Sequence, residues 1–214
     1  MKKLISEQAV IEASKKGEKT LTVDDKAIIT DAAKDRARQL GITFTKKAAE
    51  KASTTPAAGA VTKSFQAGDS VVIGSDHGGF ALKEQLKAFL ESIGAKVVDV
   101  GTYSEEACDY PDYAYAVART VSLGHASKGI MIDSVGIASA MVANKVKGVR
   151  AACCTDEFGA RSSREHNDAN VLTLGGKVLG VELAKAIVKT WMETNFGGGR
   201  HMKRVAKITE IEGR

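Results

Sequence analysis

Five stretches of the chain bring together residues that can move protons or hold an anion. They are Ser75-Asp76-His77-Gly78-Gly79, Asp133-Ser134-Val135-Gly136, Arg164-Glu165-His166-Asn167-Asp168, Gly175-Gly176-Lys177, and the tail Gly197-Gly198-Gly199-Arg200-His201-Met202-Lys203-Arg204. Carboxylates and imidazoles exchange protons near neutral pH once positioned. Glycine turns at helix starts offer backbone N–H groups to an anion. Arginine donates two parallel hydrogen bonds to a phosphate. Each stretch also has a plainer reading. Asp76 and His77 can simply cap a helix, a glycine turn can be only a tight connection, His166 can be a structural histidine, and Arg200 and Arg204 can be a solvated helix face. Neither a dinucleotide G-x-G-x-x-G nor a P-loop pattern occurs, so no nucleotide site is expected. Two histidines without a third ligand at metal spacing give no metal site either. The functional reading rests on convergence, because almost every strand-end loop carries such a group.

The elements that must hold these groups follow from periodicity. Apolar runs at 70–75, 95–100, 128–133, 148–154 and 170–176 alternate with amphipathic stretches, beginning with Phe80–Gly94, where Leu82, Leu86, Phe89, Leu90 and Ile93 share one face. Continuous apolar strands separated by helices predict an α/β fold: five parallel strands with helices on both faces. In such sheets the ligand lies beyond the carboxyl ends of the strands, and this reading assigns all five stretches to that end.

The 214-residue chain carries a net charge of +5, all of it within residues 1–67, so the basic balance does not describe the main domain's ligand. No apolar run is long enough to span a bilayer, and the start lacks a signal peptide's apolar core, so a cytoplasmic protein without membrane contact is expected. Cys108, Cys153 and Cys154 have no disulfide or zinc spacing and read as reduced packing residues. Residues 1–45 read as a small helical module, with Ser6 and Thr30 as N-caps, Gly17 and Gly41 as stops and LTVDD as a short extended piece between the helices. Residues 46–67, rich in Ala, Lys, Ser and Thr, read as a flexible linker, and residues 68–214 as the main domain.

Residues 70–213 resemble the ribose-5-phosphate isomerase B family, which includes the galactose-6-phosphate isomerase subunits. The resemblance rests on GSDHGGFALKEQL, DYPDYA at 109–114, ANKVKGVRAA at 143–152, SREHNDANVLTLGG at 163–176 and GGRHMKRVAKI at 198–208, in the family's order. It implies a Rossmann-like domain that forms a homodimer or a dimer of dimers with shared active sites. It also implies cofactor-free aldose–ketose isomerisation of a phosphorylated sugar, ribose 5-phosphate first, through a cis-enediolate. His166 would open the furanose ring, Asp76 and Asn167 would hold sugar hydroxyls, and His77 would lie near substrate or phosphate. Arg200 and Arg204 would grip the phosphate, Lys177 would stand where relatives have an arginine, and Tyr110 would line the sugar pocket.

One loop departs from the pattern. Where the family commonly reads Cys-Gly-Thr-Gly with the cysteine as base, this chain reads Asp133-Ser134-Val135-Gly136, and Ser139 stands where some relatives place a glutamate base. The expectation is that Asp133 serves as base, with Ser134 and Gly136 beside the substrate; the alternative is a silent sugar-phosphate-binding regulator or scaffold. The module is similar to short N-terminal regions of bacterial microcompartment proteins, through V-D-D-K-A-I-I-T and the helix ending in Gly41-Ile42. That similarity implies docking to a shell or cargo partner. An oligomerisation arm is the alternative, and a nucleic-acid arm rests on charge alone.

Overall fold

A computed structural model describes residues 4–24, 27–47 and 65–212. In the N-terminal module, β1 (Leu4–Ile5), α1 (Glu7–Lys15), β2 (Thr20–Asp24), β3 (Ile28–Ile29), α2 (Asp31–Leu40) and β4 (Thr43–Lys47) follow one another. Ser6 and Thr30 cap the helices by accepting from the N–H groups of Ala9 and Ala33, and Gly41 ends α2 in the left-handed region. The module is not purely helical. β1 pairs with β3 and β2 with β4, both parallel, over a small core that includes Ile5, Val10, Val23, Ala33 and Ile42. Strands of two to five residues leave almost no alternation for a sequence to display. β4 also runs two residues into the stretch read as linker, most of which lies outside the described residues.

The module rests on the main domain. Arg36 bonds the buried Glu7 at 2.8 Å and reaches Glu106 of the main domain at 4.0 Å. Ala32 packs against the main core.

The main domain runs β5 (Ser70–Ser75), α3 (Phe80–Ser92), β6 (Lys96–Asp99), α4 (Tyr110–Ser122), β7 (Lys128–Asp133), α5 (Ile137–Ala143), β8 (Ala151–Cys153), α6 (Glu157–Asn167), β9 (Val171–Gly175), α7 (Val181–Glu193) and α8 (Arg200–Ile211). All five strands are parallel, in the order β6-β5-β7-β9-β8. Alternate strand residues feed opposite faces. Val71, Ile73, Ile130, Ile132, Leu172 and Leu174 pack against α3 and α7, while Val72, Met131 and Val171 pack against α4 and α5. The chain moves outward from β5 to β6 and then crosses to β7 on the other side. The loops after β5 and β7 therefore diverge, leaving a crevice at the carboxyl ends of these strands.

Candidate active site

The crevice is built by three loops that approach backbone to backbone. Asp76 N donates to Ile132 O at 3.1 Å, Gly176 N to Asp133 O at 2.7 Å, and Lys177 N to Ser134 O at 3.1 Å. A side chain on Gly176 would meet Gly78 O at 2.7 Å, so only glycine lets these loops close. Asp76, His77, Ser134, Gly136 and Lys177 gather here, and Tyr110 opens α4 at the far side of the loop that follows β6. His77 Nδ1 lies 3.2 Å from both N and O of Cys108, which ties the first loop to the segment leading to Tyr110.

The two carboxylates of the crevice have different surroundings. Asp133 is buried and its carboxylate turns back onto its own loop. Oδ1 accepts from Val135 N at 2.7 Å and from Gly136 N; Oδ2 accepts from Ser139 N at 3.1 Å and from Ser139 Oγ. The loop amides that could have faced a substrate oxygen thus hold the chain's own aspartate. Gly136, at φ 89°, allows that turn, and a side chain there would lie 2.9 Å from the backbone of Leu174. Asp76 is also buried, but among the described residues its Oδ1 accepts from the glycine turn alone, with Gly79 N at 3.0 Å. Burial pushes its carboxyl above the ordinary aspartate value; the glycine-turn amides and His77 oppose this, and the neighbouring Asp133 charge adds to it.

His166, Asn167, Arg200 and Arg204 lie elsewhere, and this corrects the expectation that all the stretches meet at one face. A helix that follows a parallel strand must carry the chain back to the amino end of the next strand. The 11 residues of α6 span about 16 Å at 1.5 Å each, so its last turn, with His166 and Asn167, comes out at the opposite end of the sheet. Its neighbours there confirm the position. Arg164 and Asp168 surround Lys128 at the start of β7, and Arg150, just before β8, donates to Asn167 O at 3.0 Å. The segment after α7 joins the same end through Gly197 N, which donates to Glu165 O at 2.9 Å.

There His201 stacks on His166, with ring centroids 4.4 Å apart and 16° between planes. Ser162 Oγ lies 3.1 Å from His166 Nδ1 and fixes the ring's other edge. Desolvation, then the charges of His166, Arg200 and Arg204, pull the His201 imidazole below its ordinary value. Arg200 and Arg204 are exposed on α8, none of whose residues is buried. His201 was not singled out from the sequence, although its place between the two arginines at the start of an amphipathic helix was a usable signal. The groups suited to proton transfer and anion binding are thus divided into two halves: carboxylates and glycine turns at the carboxyl end, imidazoles and guanidiniums at the amino end.

Several large apolar side chains of α5, α6, α8 and the loop after β7 are exposed. Val135, Ile137, Met141 and Phe158 are 48%, 53%, 62% and 78% exposed, and Met202, Ile208 and Ile211 project from α8.

Comparison with known proteins gives these halves a context. Residues 71–208 match the family model described as Ribose/Galactose Isomerase. The chain is 46% identical to ribose-5-phosphate isomerase B of Escherichia coli over 144 residues, 67% of this chain and 97% of that protein. It is 41% identical to the galactose-6-phosphate isomerase subunit LacA of Streptococcus mutans, over 66% of this chain and 99% of that one. Among solved structures, ribose-5-phosphate isomerase B of Clostridium thermocellum superposes with a TM-score of 0.67 at 50% identity, covering 67% of this chain and 97% of that one.

Proposed function

The chain belongs to the ribose/galactose isomerase family and is a sugar-phosphate isomerase, and from that premise we propose that it interconverts ribose 5-phosphate and ribulose 5-phosphate at a site shared between two copies. One observation carries the reading: the groups that the reaction needs are divided between opposite ends of one sheet. A second copy, packed in the opposite direction on the exposed apolar side chains, brings one chain's amino end to the other's carboxyl end. Isologous pairing of this kind makes two identical sites. Arg200 and Arg204 of one copy then hold the phosphate, and His166 opens the sugar ring. Asn167, His77, Tyr110 and Lys177 orient the open chain over the glycine turns.

The expected part of Asp133 as base fits this geometry poorly. All four of its hydrogen bonds would have to loosen before its carboxylate could reach a carbon-bound proton. The same bonds favour the silent-binder reading only if no other group can serve as base. A coupled isomerase assay over a panel of aldose phosphates, with EDTA present, decides the matter. Turnover of ribose 5-phosphate above the other sugars supports the reading, and binding without turnover across the panel replaces it with the silent one.

The proposal extends to the N-terminal module, which docks the enzyme in the cytoplasm to a bacterial microcompartment shell or cargo partner. Its support is a core of its own, joined to the main domain through Ala32 and the Arg36–Glu106 pair. Fluorescently labelled full-length chain should form puncta beside co-expressed shell proteins, and the chain lacking residues 1–67 should stay diffuse. Diffuse full-length protein would count against it.

A further inference from the structure

We infer that Asp76, with the hydroxyl of Ser134 beside it, carries the proton transfers of the isomerisation, and that Asp133 is a positioning residue that shapes the loop. This rests on the isomerase reading above and says which group replaces the missing cysteine.

Three observations point this way. First, Asp133 is fully engaged: three amides and one hydroxyl of its own loop close on its carboxylate. An acceptor in that state is a poor proton acceptor, because protonation would break a donor's hydrogen bond. Second, Ser134 is the residue this chain has in place of a loop glycine, and its Oγ points into the first loop. A Cβ built on Gly78 would collide with Ser134 Oγ while lying 3.4 Å from Asp76 Oδ1. Hydroxyl and carboxylate thus converge on one face of Gly78. Third, Asp76 is 5% exposed, yet among the described residues the glycine turn alone holds it. Burial as the leading influence, with the Asp133 charge adding to it, raises its proton affinity toward that of a useful base. The titratable groups facing it are His77 on its own loop, Asp133 from the β7 loop and the Cys108 thiol from the segment after β6.

The step balances without any further reactant. Asp76 takes the proton from C2 of the open-chain aldose, the C–H pair forms the C1–C2 double bond, and the carbonyl pair moves onto O1. Ser134 gives its hydroxyl proton to O1 and takes the one from O2. The C1–C2 pair then takes the proton back from Asp76 at C1, leaving the ketone at C2. The same two groups return to their starting states.

The test uses the full chain and ribose 5-phosphate in D2O. Wild type should turn over and place solvent deuterium at C1. Asp76→Asn should lose kcat by roughly 10³-fold, together with the exchange, while calorimetric titration with ribose 5-phosphate still shows binding. Asp133→Asn should keep turnover within about tenfold, and the acid limb of its kcat/KM profile should move to lower pH, because the charge that hinders Asp76 ionisation is gone.

If Asp133→Asn does not fold, Ser139→Ala takes its place, since it removes a donor from Asp133 and none from Asp76. An acid limb shifted by less than about 0.3 pH unit supports Asp76, and a rise of about one unit assigns the limb to Asp133. Turnover retained by Asp76→Asn overturns the inference and leaves the isomerase reading standing. Wild type that neither turns over nor exchanges any sugar of the panel overturns both.

Discussion

The two ends of the sheet hold buried charge in opposite ways. At the carboxyl end, Asp76 and Asp133 are buried and solvated mainly by backbone amides of glycine loops. At the amino end, Arg164 is fully buried and pairs with Asp168 at 2.9 Å, Asp168 pairs again with Arg150 at 2.9 Å, and Lys128 lies buried close by. Amides leave a carboxylate surrounded by fixed dipoles and a substrate free to approach. Side-chain pairs neutralise one another and close the space. The first arrangement suits chemistry and the second holds elements together. At the amino end the groups suited to chemistry, His166, His201 and the two arginines, stand outside the buried network.

This contrast can be broken or sharpened by substitution. The largest effect is expected from His166→Ala, which should lower kcat/KM by roughly 10²- to 10⁴-fold while leaving the melting temperature close to wild type, since the ring is half-buried and, among the described residues, held by Ser162 and by stacking on His201. A melting temperature that falls with the activity would make His166 a structural residue instead. Next, Arg200→Ala and Arg204→Ala should each raise KM for the sugar phosphate by roughly 10- to 100-fold, the worth of a charged hydrogen bond of about 1.5–3 kcal/mol. Steady-state kinetics showing a fall in kcat at unchanged KM would move these residues out of ground-state phosphate binding.

Gly136→Ala tests the carboxyl end as a scaffold. It combines a left-handed backbone with a contact of 2.9 Å to the Leu174 backbone, and should cost about 2–4 kcal/mol in denaturant unfolding. An unchanged midpoint would mean that the loop can relax away from the β9 backbone.

The smallest effect is at Lys128. Burial, then the Arg164 charge, lowers its amine from 10.5 to about 8. Below pH 8 the folded protein holds a charged amine in a place that disfavours it. Between about 8 and 10.5 the unfolded chain binds the proton more strongly, so stability from this group rises with pH. Lys128→Met should therefore gain roughly 1–3 kcal/mol at pH 7, with the gain shrinking as pH approaches 10. A gain independent of pH would reflect packing, not charge.

The main sheet was readable from the sequence because both of its faces are covered, and runs such as Ser70–Ser75 and Lys128–Asp133 stay apolar throughout. The helix caps Ser6 and Thr30 were readable too, since a hydroxyl before a periodic stretch has few other uses. The position of His166 is less legible, for a topological reason. The sequence shows a helix ending in Arg164–Asp168, but the expectation that this end shares the ligand face overlooks that a helix after a parallel strand returns the chain to the other end of the sheet. Counting the turns of α6 would have shown this. The state of Asp133 was hidden for a local reason: its residue type announces a carboxylate, but whether the loop amides close on it depends on the turn at Gly136 and on Ser139 six residues on. In the N-terminal module LTVDD reads as a short extended piece and most of it forms β2, whereas β1 and β3 are too short to leave a pattern.

The measurement that bears most directly on the two-ended site is complementation between two dead variants. Asp76→Asn and His166→Ala should each be inactive alone. Unfolded together, refolded as an equal mixture and assayed with ribose 5-phosphate, they should recover about a quarter of wild-type activity, because half of the dimers are mixed and each mixed dimer holds one intact site of two. A mixture as inactive as its parts, in protein shown by mass to contain mixed dimers, would mean that both residues serve the same chain's site and would contradict the account.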